Sequence, residues 1–358
     1  MHLCFNDKRQ STHMKKYIIV FSLSLLTLSV SAQKKKKKQG PPPVVKPIPE
    51  PPKVIEQAGT SESMPAAIIS MPMRAADQVR IKKTDGQEFN LEKLEELVST
   101  DLAQVKTLSL GSSISGKKLS SEILQKIMDE GNQMESLEIS NLDISTFPEI
   151  TATHPKLKKI ALSRNNLSIL PASISNLTAL EEFDCNNPLT GLPASFAQLK
   201  NLKQLGLNGN LFSTFPKEIF SLNKLSFLYL SGNYKGETKL TDMPDLFEQL
   251  SELKELGIEH AGLSTLPKSI AALKKLEKAN FSFNQFTSFP AALYNNPKLV
   301  FVPFTNNPLQ WEPFLASVKK IKWSGLFFLN DTGLSKKQYE QVQQILSKTD
   351  VYYDEMND

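Results

Sequence analysis

The chain has 358 residues, 40% of them hydrophobic and 22% charged, which is ample apolar content for a sizeable core. Lys and Arg outnumber Asp and Glu by 42 to 37, but the basic excess lies ahead of Asp77, and from there onward acidic side chains slightly outnumber basic ones. A slightly acidic folded region argues against nucleic-acid binding, and two cysteines, Cys4 and Cys185, supply no disulfide framework.

In chain order, residues 14–32 carry the three parts of a secretory signal. Lys15 and Lys16 form the basic start, Tyr17 to Val30 the apolar run, and Val30-Ser31-Ala32 a small-residue cleavage site. The expected start is Met14 and the expected cut follows Ala32. The run from Tyr17 to Val30 is short for a membrane span, so export to the periplasm, the cell surface or the medium is expected. Residues 33–76 read as a linker. The run Lys34, Lys35, Lys36, Lys37, Lys38 is followed by Pro41, Pro42, Pro43, Pro47, Pro49, Pro51 and Pro52. Such a segment favours extended polyproline II and builds no core. Its lysines suit an anionic envelope surface, or simply a solvated tail.

Residues 77–104 are expected to cap the first coil of the array that follows. Asn90 reads as the N-cap of a helix over Leu91 to Val98, with Phe89 and Leu94 as a hydrophobic staple.

From Val105 to Leu309 one pattern recurs. Units begin at Val105, Met134, Leu157, Leu180, Leu202, Leu225, Leu253, Leu276 and Leu299. In the unit from Leu157, apolar residues fall at Leu157, Ile160, Leu162, Leu167 and Leu170, with Asn165 between. Asn returns as Asn187, Asn210, Asn233, Asn284 and Asn307, with Leu142 and Ala261 as the departures. Pro returns as Pro148, Pro171, Pro193, Pro216, Pro244, Pro267 and Pro290. Each feature has a mechanical reason. Alternating apolar residues put one face of a short strand inward. An Asn amide, donor and acceptor at once, satisfies backbone groups where the chain turns away. Pro suits an irregular return path because it has no amide N–H. The first unit holds Ser120 to Met128, long enough for a helical return, whereas the shorter units leave room for brief turns only.

The pattern L-x-x-L-x-L-x-x-N-x-L, with its L-P-x-x-I-x-x-L return, resembles the leucine-rich repeat proteins. Joined to the signal-like segment, the chain looks like an exported bacterial member. The resemblance implies an α/β leucine-rich repeat solenoid: a curved parallel sheet of about nine coils, a helical N-terminal cap and an α/β C-terminal cap over residues 310–358. It also implies binding of a protein or other ligand on the concave face. Five extra residues in the unit from Leu225, within Tyr234 to Asp242, mark a loop that either drifts freely or borders a binding face. In the C-terminal cap, Ile321 to Leu329 reads as a strand. Ser335 and Gln338 form a capping box for a helix lined by Tyr339, Val342, Ile345 and Leu346, with Tyr352 and Tyr353 packed nearby.

Cys185 falls in an inward slot and reads as core. His2, His13, His154 and His260 lack metal-ligand spacing, and no nucleophile, zinc or phosphate-loop motif is present. No enzyme and no cofactor are therefore expected. What remains is the outward wall of the sheet. Its candidate contacts are Glu182, Asp184, Gln204, Asn208, Phe227, Tyr229, Glu255, Glu259 and Lys278, with two exposed rings amid acids and amides. Strands about 4.8 Å apart put Glu182 and Lys278 roughly 20 Å from one another. That span suits a peptide, a protein loop or a short glycan. The expected role is recognition of such a partner; the alternative is an envelope-associated spacer held by the lysine tail.

Overall fold

The computed structural model describes residues 78–353, apart from 114–115, 234–238 and 241–242. The signal-like segment, the Lys/Pro linker and most of the Tyr234–Asp242 insertion lie outside the described residues.

Among the described residues, thirteen strands form one sheet. It opens with a hairpin, β1 (Gln78–Lys83) and β2 (Glu88–Leu91). β1 then lies antiparallel against β3 (Val105–Gly111). From β3 onward the strands run parallel and in chain order: β4 (Ser136–Ser140), β5 (Lys159–Ser163), β6 (Glu182–Asp184), β7 (Gln204–Gly206) and β8 (Phe227–Tyr229). β9 (Glu255–Gly257), β10 (Lys278–Asn280) and β11 (Phe301–Pro303) complete the repeats. Each of the nine units contributes one strand at its expected leucines, so the solenoid expectation is met.

The return paths follow from the prolines. Pro171, Pro193, Pro216, Pro267 and Pro290 each stand as the N-cap of a short 3-10 turn. Proline is preset for that entry and has no N–H to lose. The longer first unit returns through α1 (Ser121–Glu130), whose cap Ser120 accepts a hydrogen bond from the Ile123 N–H at 3.3 Å.

The interior is a stack of leucines with an asparagine column beside it. Asn165, Asn187, Asn210, Asn284 and Asn307 are all buried. Asn284 Oδ1 accepts from the N–H groups of Ala261 and Leu263, both at 3.1 Å, while its Nδ2 donates to the Ile258 carbonyl at 2.7 Å. Asn165 Oδ1 serves the Leu142 N–H in the same way at 2.9 Å. The units from Met134 and Leu253, which lack their own asparagine, are thus served by the next coil. Cys185 is buried in the stack, and burial pushes its thiol up to about 12; it packs as an apolar side chain.

One interior column changes at its ends. The slot three positions ahead of each unit's first leucine holds Leu177, Leu199, Leu222, Leu250 and Leu273 through the middle of the array, all fully buried. His154 and Asn296 occupy it toward the two ends, equally buried. His154 Nδ1 reaches the Gly131 carbonyl at 3.3 Å, but its Nε2 and both amide atoms of Asn296 have no partner.

The N-terminal cap differs from the sequence reading. Asn90 is no helix cap; it sits within β2, opposite Arg80. The turn is a 3-10 segment over Leu94–Val98, entered from Lys93, whose N–H donates to Glu96 Oε1 at 2.8 Å. Leu94 and Leu97 are buried, but Val98 is 62% exposed and leaves the expected stripe. The cause is the Asp85-Gly86 pair. Gly86 adopts φ +90°, and Asp85 Oδ1 accepts from the Gln87 N–H at 2.9 Å, closing a hairpin that draws residues 88–91 into the sheet.

At the other end, the strand expected over Ile321 to Leu329 is shorter: β12 is Leu326–Phe328. A helix, α2 (Trp311–Val318), precedes it. α3 (Lys336–Ile345) begins at the expected Ser335–Gln338 capping box. β13 (Asp350–Tyr352) then extends the parallel sheet by one more strand. Tyr353 stacks on Tyr339 with ring centres 4.4 Å apart, and Tyr352 stacks on Phe328 at 4.8 Å. The Val351 N–H, on the open edge of the last strand, donates to Gln343 Oε1 at 2.9 Å. This occupies a donor that an edge strand otherwise offers to other chains.

Candidate binding face

Parallel register assembles the outward wall from residues that lie one coil apart in the chain. One row runs Lys159, Glu182, Gln204, Phe227, Glu255, Lys278, Phe301. The next runs Ala161, Asp184, Gly206, Tyr229, Gly257, Asn280. Seven of the nine candidate residues lie in these rows. Asn208 and Glu259 follow closely after β7 and β9. All nine therefore lie on, or just past, neighbouring strands of one sheet, and each is partly buried.

Several are already engaged with one another. Tyr229 Oη donates to Glu255 Oε2 at 2.5 Å, and Lys278 Nζ reaches the other oxygen of the same carboxylate at 2.7 Å. Burial, with the Glu255 charge second, holds the Tyr229 hydroxyl well above its ordinary value. Asn208 Oδ1 accepts from the Ser231 N–H at 3.1 Å, so this amide supports the backbone. Glu259 is hydrogen-bonded by Asn280 and Ser231, yet burial outweighs both and raises its carboxyl to about 7. Burial likewise brings Asp184 up to about 6 against the opposing field of Lys159. The cost of removing a charge from water explains both shifts.

The two rings are less exposed than expected. Phe227 and Tyr229 are half-buried, and for Tyr229 the reason is the neighbouring strand. Gly257 stands beside it, where a Cβ would lie only 2.9 Å from Tyr229 Cδ1. With no side chain there, the ring lies down over β9 toward Glu255. Gly206 does the same for Asp184, whose Oδ1 lies 3.0 Å from the position of a Cβ on that glycine.

Sequence reasoning missed two residues at the rim. His260 and Phe283 have φ +51° and +57°, a left-handed conformation that ordinary side chains rarely adopt. Their rings stack 4.3 Å apart at 13°, and burial lowers the pKa of His260. The signal was positional. Both stand eighth in their units, where Gly209 and Gly232 stand in the two preceding ones. Among the described residues no group of His, Cys, Asp and Glu is placed to hold a metal ion, and no helix is long and apolar enough to cross a membrane.

Comparison with known proteins agrees with this geometry. The leucine rich repeat family models match residues 156–177 and 184–234. The adenylate cyclase of Schizosaccharomyces pombe is 35% identical over 187 residues, covering 51% of this chain and 11% of that protein. The TMV resistance protein N of Nicotiana glutinosa is 29% identical over 140 residues, covering 38% of this chain and 12% of that protein. The chain thus spans about a tenth of the length of these relatives. Among solved structures, internalin C2 of Listeria monocytogenes is similar at 20% identity and a TM-score of 0.45, covering 60% of this chain and 84% of that one. The repeated motif and the single parallel sheet make the fold a leucine-rich repeat solenoid.

Proposed function

We propose that this leucine-rich repeat solenoid is a non-enzymatic recognition module, exported from its cell, that takes a peptide or protein segment across the outward, concave wall of its sheet. Proteins built from such repeats generally bind other proteins. One observation carries the reading for this chain: the strand residues that face inward stay apolar from coil to coil, while the outward rows change at every strand. Along β6 to β10, carboxylates, amides, a lysine and two half-buried rings share one surface. Rings bordered by polar groups are the usual anchors of protein recognition. The acidic excess from Asp77 onward speaks against nucleic acid. Export rests on the segment from Met14 to Ala32.

The test is affinity capture from the envelope and medium of the source cell, comparing the native chain with Phe227→Ala/Tyr229→Ala. The pair of substitutions is expected to abolish capture while the protein still melts cooperatively. Undiminished capture would move the site elsewhere. The five-lysine run favours a second reading, a spacer held at an anionic surface. In that case high salt, or deletion of Lys34 to Lys38, releases the protein and changes at Phe227 and Tyr229 do nothing.

A further inference from the structure

We propose that the centre of this wall is a slot for an arginine side chain of the partner, with Asp184 and Glu182 on one side, Phe227 on the other, and Gly206 and Gln204 between. The proposal rests on the recognition reading above and names what that face takes.

The first argument is charge. Between β4 and β11 the other carboxylates in the strand rows of the outward wall are answered locally: Glu138 by Lys159 at 2.5 Å, and Glu255 by Lys278 and Tyr229. Glu182 and Asp184 neither accept a side-chain hydrogen bond nor form an ion pair among the described residues. Lys159 stands directly opposite Glu182 in the register, yet gives its ammonium to Glu138 on the other flank. Two adjacent carboxylates, both half-buried, are left with no cation in contact, and only the more distant field of Lys159 reaches Asp184.

Shape is the second argument. In the row from Glu182 through Gln204 to Phe227, carboxylate and ring are separated by one strand, about 9.6 Å across. In the parallel row, Gly206 contributes no side chain, and the Asp184 carboxylate leans over it. Tyr229, which is next in that row, reclines the other way, over Gly257. The result is a low place in the wall with an acidic floor and an aromatic side. A planar cation that both pairs with carboxylates and lies against a ring fits it, and guanidinium does both where ammonium does only the first. The raised pKa of Asp184 agrees, because a carboxyl kept from water with no cation in contact gains most when one arrives.

The experiment titrates the full chain with three capped tripeptides, acetyl-Gly-X-Gly-amide with X arginine, lysine or citrulline, following the backbone amide resonances of Leu205 and Gly206. Citrulline keeps the shape of arginine without the charge. Saturable shifts with the arginine peptide are expected, with at least fivefold weaker binding for the other two. Asp184→Asn should remove the response, and Gly206→Ala should weaken it by crowding Asp184. Asp184→Asn gives up no hydrogen bond, so its melting temperature should hold or rise and the variant remains a fair test. Equal responses to arginine and citrulline, or to arginine and lysine, would overturn the proposal, as would undiminished binding by Asp184→Asn. Partner capture that survives Asp184→Asn but fails with Phe227→Ala/Tyr229→Ala would sink the slot and leave the recognition face standing.

Discussion

The two sides of β8 differ in what they are built for. Leu228 and Leu230 point into columns that stay apolar from coil to coil, and both are fully buried. Phe227 and Tyr229, one position away, sit in rows whose members change charge and size at each step. A strand's period of two is what allows this. Stability is written on one face and specificity on the other, and either can change without disturbing its neighbour. The comparison teaches where substitutions should hurt folding and where they should hurt only recognition.

The largest effect should come from the asparagine column, the polar part of the inward side. Asn284→Ala strands the Ala261 and Leu263 N–H groups and the Ile258 carbonyl inside the protein. Each buried group left unpaired costs about 1–3 kcal/mol, so a loss on the order of 4 kcal/mol is expected in urea denaturation. A loss below about 1 kcal/mol would mean that water or a rearranged coil replaces the amide, and would blur the line between the two faces.

A smaller change of opposite sign is expected at the edge of the array. Asn296 sits in a slot that leucine fills in five other coils, with both amide atoms unpartnered. Asn296→Leu should therefore raise stability by about 1 kcal/mol, read from the urea midpoint. A destabilised variant would show that the amide is satisfied in solution.

A pH dependence is expected from the outward face. Asp184 and Glu259 are raised to about 6 and about 7 in the folded chain, above the ordinary carboxylate range they have when unfolded. Between about pH 4 and 7 the folded state therefore binds more protons than the unfolded one, and these two groups destabilise the fold as pH rises through that window. The melting temperature of Asp184→Asn/Glu259→Gln should accordingly exceed that of the native chain at pH 7.5 and converge with it near pH 4. A constant difference across the range would contradict the assigned burial.

Much of this was legible in the sequence, because leucine and asparagine recur in register and each strand and inward slot follows from the count. What escaped depended on neighbours far away in the chain. That Tyr229 reclines follows from Gly257 on the next coil, and that Asp184 leans follows from Gly206, again one coil further on. His260 and Phe283 carry no side-chain signal in the sequence, because their peculiarity is a backbone conformation tied to one position of the coil. At the N-terminal cap the apolar spacing of Leu91, Leu94 and Leu97 suited a helix, but Asp85-Gly86 closed a hairpin first. α2 went unread because it is only two turns long and carries Pro313 in its first turn, where proline is tolerated.

The most direct test of the division between the two faces compares neighbouring substitutions on β8 by urea denaturation. Leu228→Ala should cost about 2–5 kcal/mol, as expected for a fully buried leucine, and Phe227→Ala less than about 1 kcal/mol. If removing the Phe227 ring destabilised the protein as much as truncating Leu228, that ring would belong to the core, and the outward wall would not be the free recognition surface described here.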